Sequence, residues 1–137
     1  MSALNDDREV KRKDGEYQTY KIQEDTIIYK GALVCIDAKS GYLVPLKDAK
    51  DQVFAGVALE QVNNSEGDSG DKEVRVQKTG SYQYVRVSAD QGVVGSAAYG
   101  LDDQTVGKAS TNSILVGYIQ AVVDSSTVYV RIDRAVE

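Results

Sequence analysis

The chain has 137 residues, 42% of them hydrophobic, with 16 Lys and Arg against 21 Asp and Glu and a net charge of −5. That length sets the expectation of one domain with an ordinary core. With no His and a single Cys, the chain cannot by itself supply a Ser–His–Asp or Cys–His arrangement, a Cys/His zinc site or an intramolecular disulfide.

The acidic balance opposes nucleic acid as a partner, because phosphate binding needs a basic surface. No run approaches the roughly 18 apolar residues of a membrane-spanning helix, and the charged N-terminus has no apolar signal-peptide segment, so neither membrane insertion nor secretion is expected. Cys35 lies in the apolar run Ala32 to Ile36 and reads as a small buried side chain made in a reducing cytoplasm. There are nine Tyr, one Phe, one Pro and 12 Gly. With Val frequent and Gly at turn-like intervals, that composition favours β structure over helix.

Residues 1–25 differ from the rest. Asp6-Asp7-Arg8-Glu9 and Lys11-Arg12-Lys13-Asp14-Gly15-Glu16 crowd charges around a few apolar residues, and no helical stripe survives the spacing. The expectation is an extended, charged N-terminal arm that orders against a partner, with Leu4, Val10, Arg12, Tyr17, Tyr20 and Ile22 as its contact residues.

A single β domain is expected over 26–137. Thr26 to Tyr29 is β-branched and aromatic, and Lys30-Gly31 turns. Ala32 to Ile36 reads as a strand, Asp37 to Gly41 as a hairpin loop, and Tyr42-Leu43-Val44 as the returning strand, ended by Pro45. Leu46 to Gln52 is polar and has room for one helical turn. Val53 to Val62 is apolar on both sides, as in a strand covered on both faces, and Gly56 inside it signals a bulge or close backbone approach. Asn63 to Asp71 is a polar loop. Val74 and Val76 alternate with Arg75 and Gln77. In Ser81 to Val87, Tyr82, Tyr84 and Arg86 share one face, a composition enriched at protein interfaces.

The grammar then repeats. Gly31 to Cys35 matches Gly95 to Tyr99, Asp37 to Gly41 matches Asp102 to Gln104, Phe54 to Ala58 matches Leu115 to Ile119, and Val74 to Val76 matches Val128 to Val130. The fold class expected is therefore all-β: a compact β-barrel or β-sandwich built from two similar units, 26–80 and 81–133. Packing the two together closes a core that neither closes alone.

Three motifs with chemical potential read as ordinary loops. Counted from Asn64, an EF-hand frame would need Gly at Ser69 and Glu at Arg75, so no metal site is expected there. No phosphate-cradling Gly-rich loop occurs. Lys39 sits at a hairpin tip, like the modified lysine of lipoyl and biotinyl carrier domains, but Asp37-Ala38-Lys39-Ser40 lacks their signature. No catalytic residue and no cofactor is expected.

The run Val94-Gly95-Ser96-Ala97-Ala98-Tyr99, Asp102-Asp103, Leu115-Val116-Gly117-Tyr118-Ile119 and Val128-Tyr129-Val130-Arg131-Ile132 resembles the pattern of tailed-bacteriophage capsid decoration (cement, head-stabilising) proteins. The first half agrees through Gly31 to Val34, Phe54 to Ala58, Glu73 to Val76 and Gly80. The resemblance covers about residues 26–133. It departs in the small Ala97-Ala98 pair and the longer loop 63–71. It implies a non-enzymatic virion protein on the outer surface of an expanded head, made in the host cytoplasm, with the major capsid protein as partner. It also implies self-association as a trimer or dimer and attachment through the arm and one barrel face. The readings set against it are a β-barrel adaptor in a cellular complex and a carrier domain modified at Lys39.

Overall fold

The computed structural model describes residues 2–8, 10 and 16–133. Over these the chain is all-β, a sandwich of twelve strands in three sheets with one 3-10 turn at Gln91–Val93 and no α-helix among the described residues. The strands are β1 (Tyr17–Lys21), β2 (Thr26–Ile28), β3 (Leu33–Asp37), β4 (Leu43–Pro45), β5 (Gln52–Ala58), β6 (Val62–Asn64), β7 (Glu73–Gln77), β8 (Gly80–Val85), β9 (Ala97–Gly100), β10 (Val106–Gly107), β11 (Ile114–Asp124) and β12 (Thr127–Ile132). Residues 46–51 form loop and bends rather than a helical turn, and Gln52 already opens β5.

The first five-stranded sheet runs β1-β7-β5-β3-β4 and the second β8-β12-β11-β9-β10. All these pairings are antiparallel, and the two orders correspond strand for strand. They share a bulge as well. In the first sheet Gly56 pairs with Val34 and Phe54 with Cys35, leaving Ala55 as the extra residue. In the second, Gly117 pairs with Ala98 and Leu115 with Tyr99, leaving Val116. Both glycines lie flush against the next strand. A Cβ on Gly56 would collide with the Gln77 carbonyl, and one on Gly117 with the Arg131 carbonyl.

The correspondence starts earlier than Thr26. Tyr17–Lys21 pairs along β7 as Ser81–Val85 pairs along β12. The segment expected to belong wholly to an arm therefore supplies, from Tyr17 on, the outer strand of the first sheet. Tyr20 and Ile22 alternate with Thr19 and Lys21, the pattern of a half-buried edge strand. The charges just before it mask that alternation.

The sandwich has three layers. Between the two large sheets lies a core of Leu33, Cys35, Phe54, Val57, Val116, Ile119, Val128, Val130 and Ile132, among others. The far side of the first sheet carries a second core of Ile22, Val34, Ala55, Ala58, Val74 and Val76, covered by Ile28 and Val62 of the β2–β6 ribbon. The first sheet is thus apolar on both faces, but the strand expected over Val53 to Val62 ends at Ala58, and Val62 belongs to β6 of the ribbon. Burying one such Val or Ile side chain stabilises by roughly 1.5–3 kcal/mol. Among the described residues, no ribbon lies over the far side of the second sheet.

Candidate functional site

The residues expected in the arm divide into two sets. Leu4 and Val10 are exposed, with three-quarters of their surface open to solvent, while Arg12 lies outside the described residues. Tyr17 is exposed at the start of β1. Tyr20 is half-buried; Lys78 Nζ donates to its hydroxyl and sits 5.0 Å from the ring centroid. Burial raises the Tyr20 pKa and lowers that of Lys78. Ile22 is fully buried in the second core. It is a core residue, and a partner cannot use it without unfolding the edge.

The Tyr82, Tyr84 and Arg86 face also points inward. Tyr84 and Arg86 are buried and Tyr82 is half-buried, whereas Val85 and Val87 face solvent. The Tyr84 hydroxyl donates to Gly31 O at 2.8 Å and the Tyr82 hydroxyl to Thr79 O at 2.8 Å. Burial pushes both phenols up. Arg86 Nη1 donates to Val87 O and Ser88 O at 3.3 and 3.4 Å, and Nε has no partner among the described residues. Tyr84 belongs to the inter-sheet core and Tyr82 packs against it. The amphipathic tyrosines and the arginine stem pack inward with polar atoms tied to backbone carbonyls.

Lys39 projects from the β3–β4 hairpin and pairs loosely with Asp51 at 3.5 Å. In the loop 63–71, Asn64 Nδ2 donates to Gln23 O and Asp68 O, and Asp71 Oδ2 accepts from Asp68 N. The side chains fasten the loop to itself, and no cluster of three metal-ligating residues occurs among the described residues.

The surface that sequence reasoning missed is the open side of the second sheet. Paired residues of neighbouring strands share a face. The pairs Leu115 with Tyr99, Tyr118 with Ala97 and with Arg131, and Tyr129 with Ala121 and with Gln83 therefore lie together. Leu115 is 41% exposed, Tyr118 52% and Tyr129 37%. Charge reaches this face through Arg131, which stands opposite Tyr118. Arg131 Nε pairs with Asp133 at 2.8 Å, and Asp124 turns back on its own hairpin to Ser126 N. The positions equivalent to Ala97, Tyr99, Leu115 and Tyr118 in the first sheet are Leu33, Cys35, Phe54 and Val57, all buried in the inter-sheet core. The signal was in the sequence: tyrosines at two positions where the first unit has Cys35 and Val57.

No family model matches the chain, and neither does any curated protein sequence. Among solved structures, the chain is similar to the head fiber gp8.5 N base of bacteriophage phi29, with a TM-score of 0.50 and 16% identity over 87% of this chain and 96% of that one. At that identity the likeness is one of fold, and it spans the described sandwich nearly end to end.

Proposed function

We propose that this chain is a non-enzymatic structural protein of a tailed-phage virion. In this reading it binds the outer surface of the expanded head and stabilises contacts between major capsid protein subunits. The observation that carries the reading is the fold shared with a phage head fiber base over almost the whole of both chains. The motif resemblance to decoration proteins points the same way. So does a sandwich whose preceding residues 2–8 are exposed and charged.

A filled head pushes outward. A clamp repeated many times opposes that pressure with modest free energy per copy, because its contacts add by avidity. The described part that can reach the shell is residues 2–8 and Val10, with Leu4 and Val10 as exposed apolar residues. An acidic surface keeps such a protein from trapping nucleic acid.

The test is co-sedimentation of purified protein with expanded, undecorated heads. Saturable binding at micromolar concentration is expected. Protein that stays in the supernatant at that concentration would remove the basis for the reading.

A further inference from the structure

We propose that Arg86 is a docking point for a partner protein, and that its guanidinium takes up the carboxylate of an Asp or Glu side chain on that partner. Arg86 is only 5% exposed. A buried arginine cannot shed its charge, so it needs an anion beside it. This one has none among the described residues, whose ion pairs all lie elsewhere. Its two hydrogen bonds, to Val87 O and Ser88 O, are long, and both come from Nη1.

Geometry says which edge of the side chain remains. In a guanidinium, Nε–H and one N–H of Nη2 point the same way, side by side, and match the two oxygens of a carboxylate. Nη1 is on the other side. Nε has no partner, and Nη2 donates to none of the described residues. Nε is enclosed, whereas Nη2 reaches the surface, so a carboxylate approaches from the Nη2 side.

The surroundings fix the occupant. Arg86 N donates to Ser126 O and Ala89 N to Ser125 O, which holds the 86–89 turn against the β11–β12 hairpin. The acidic side chains of these two segments are committed elsewhere: Asp90 Oδ1 accepts from Gly92 N, and Asp124 Oδ1 from Ser126 N and Oγ. Charge complementarity therefore calls for a carboxylate from outside them. Val85, Val87 and Val123 are exposed on the same segments. Apolar neighbours of an incoming Asp or Glu would bury them, which favours a protein side chain over a free small anion. An arginine rimmed by apolar surface is also the composition of an interface anchor.

Glu9, Asp14 and Glu137 lie outside the described residues, so the experiment has to separate a carboxylate of this chain from a partner's. The measurement is NMR on the isotope-labelled full chain, following the Arg86 Nε–Hε signal. The probe is the blocked tripeptide acetyl-Val-Glu-Val-amide. It should move that signal downfield saturably, and its Gln counterpart should bind at least tenfold more weakly. Arg86→Lys keeps the charge but loses the fork, and should weaken binding of the Glu peptide at least tenfold with the amide spectrum retained. The two peptides on the wild-type chain carry the test if that variant does not fold. Equal shifts from both peptides, or a shift that never saturates, overturn the proposal. So does a signal already downfield in the free chain that returns upfield when residues 1–15 or 134–137 are removed, because the edge then belongs to a carboxylate of this chain. The capsid reading stands apart: a chain that takes the peptide but ignores heads sinks only that reading, and one that binds heads but not the peptide sinks only this proposal.

Discussion

Gly56 and Gly117 show how much of this fold rests on single atoms. Each lies where its strand bulges, with the next strand's carbonyl in the space a side chain would need. Gly56 also has φ +134°, a conformation that L-residues rarely adopt. Backbone obstructs the added methyl at both sites, so a rotamer change cannot relieve it. Gly56→Ala and Gly117→Ala should each lose about 3 kcal/mol or more in denaturant titrations. Retention of wild-type midpoints would mean that the bulges are not fixed by these contacts. The close approach at both glycines was legible from their place inside apolar strands. The inward turn of Arg86 was not, because it depends on carbonyls that only the folded turn brings within reach.

Burial gives the same residue scale a pH signature. It pushes the Cys35 thiol from 9.0 up to about 12 and raises the Tyr84 phenol, with its neighbours Tyr82 and Asp103 adding to the effect. Both groups are held neutral in the folded state. Their contribution is complete below the unfolded pKa and is lost as pH rises toward the folded one. The thermal midpoint should therefore begin to fall above about pH 9. Half-buried Lys78, whose pKa is lowered, acts in the opposite sense. Cys35→Ala should start about 1 kcal/mol less stable and show a shallower early decline. A decline of unchanged steepness would remove Cys35 as its cause.

At the scale of elements, β1 changes the meaning of the N-terminus. Tyr17–Lys21 pairs with β7, Lys78 N donates to Glu16 O at the start of the ladder and Ile22 N to Lys72 O at its end. Removing residues 1–15 should leave the melting midpoint within a few degrees of wild type and, in the capsid reading, weaken binding to heads. Removing residues 1–22 should unfold the protein or lower its midpoint by more than 10 °C, because it strips Tyr20 and Ile22 from the second core. Equal melting of the two truncations, followed by circular dichroism, would mean that β1 is dispensable. The hairpin Asp37 to Gly41, the Val74–Val76 strand and the Gly56 strand were legible because local turn chemistry and alternation fix them. β1 was obscured because its partner lies more than fifty residues away and its own neighbours are charged.

At the scale of the whole molecule, the two large sheets need each other. Residues 79–133 alone would expose the Val116, Val128 and Val130 face that the first sheet covers. Expressed by itself, that half should show little dispersion in an amide NMR spectrum. A dispersed, cooperatively melting half would contradict a core shared between units. The paired units could be read from repeated short motifs. The third layer could not, because β2 and β6 are three residues each and owe their existence to the apolar face beneath them.

The pairing of β1 with β7 also sets an order of events. β1 leaves the ribosome well before its ladder partner at Glu73–Gln77, which is made more than fifty residues later. β1 must therefore wait until most of its sheet exists. Loop closure over that distance costs entropy before any contact repays it, which places folding in the millisecond-to-second range of β sandwiches. Until then the edge of β7 and the apolar residues of β1 are both open. A growing chain is most prone to mispair with its neighbours in that interval.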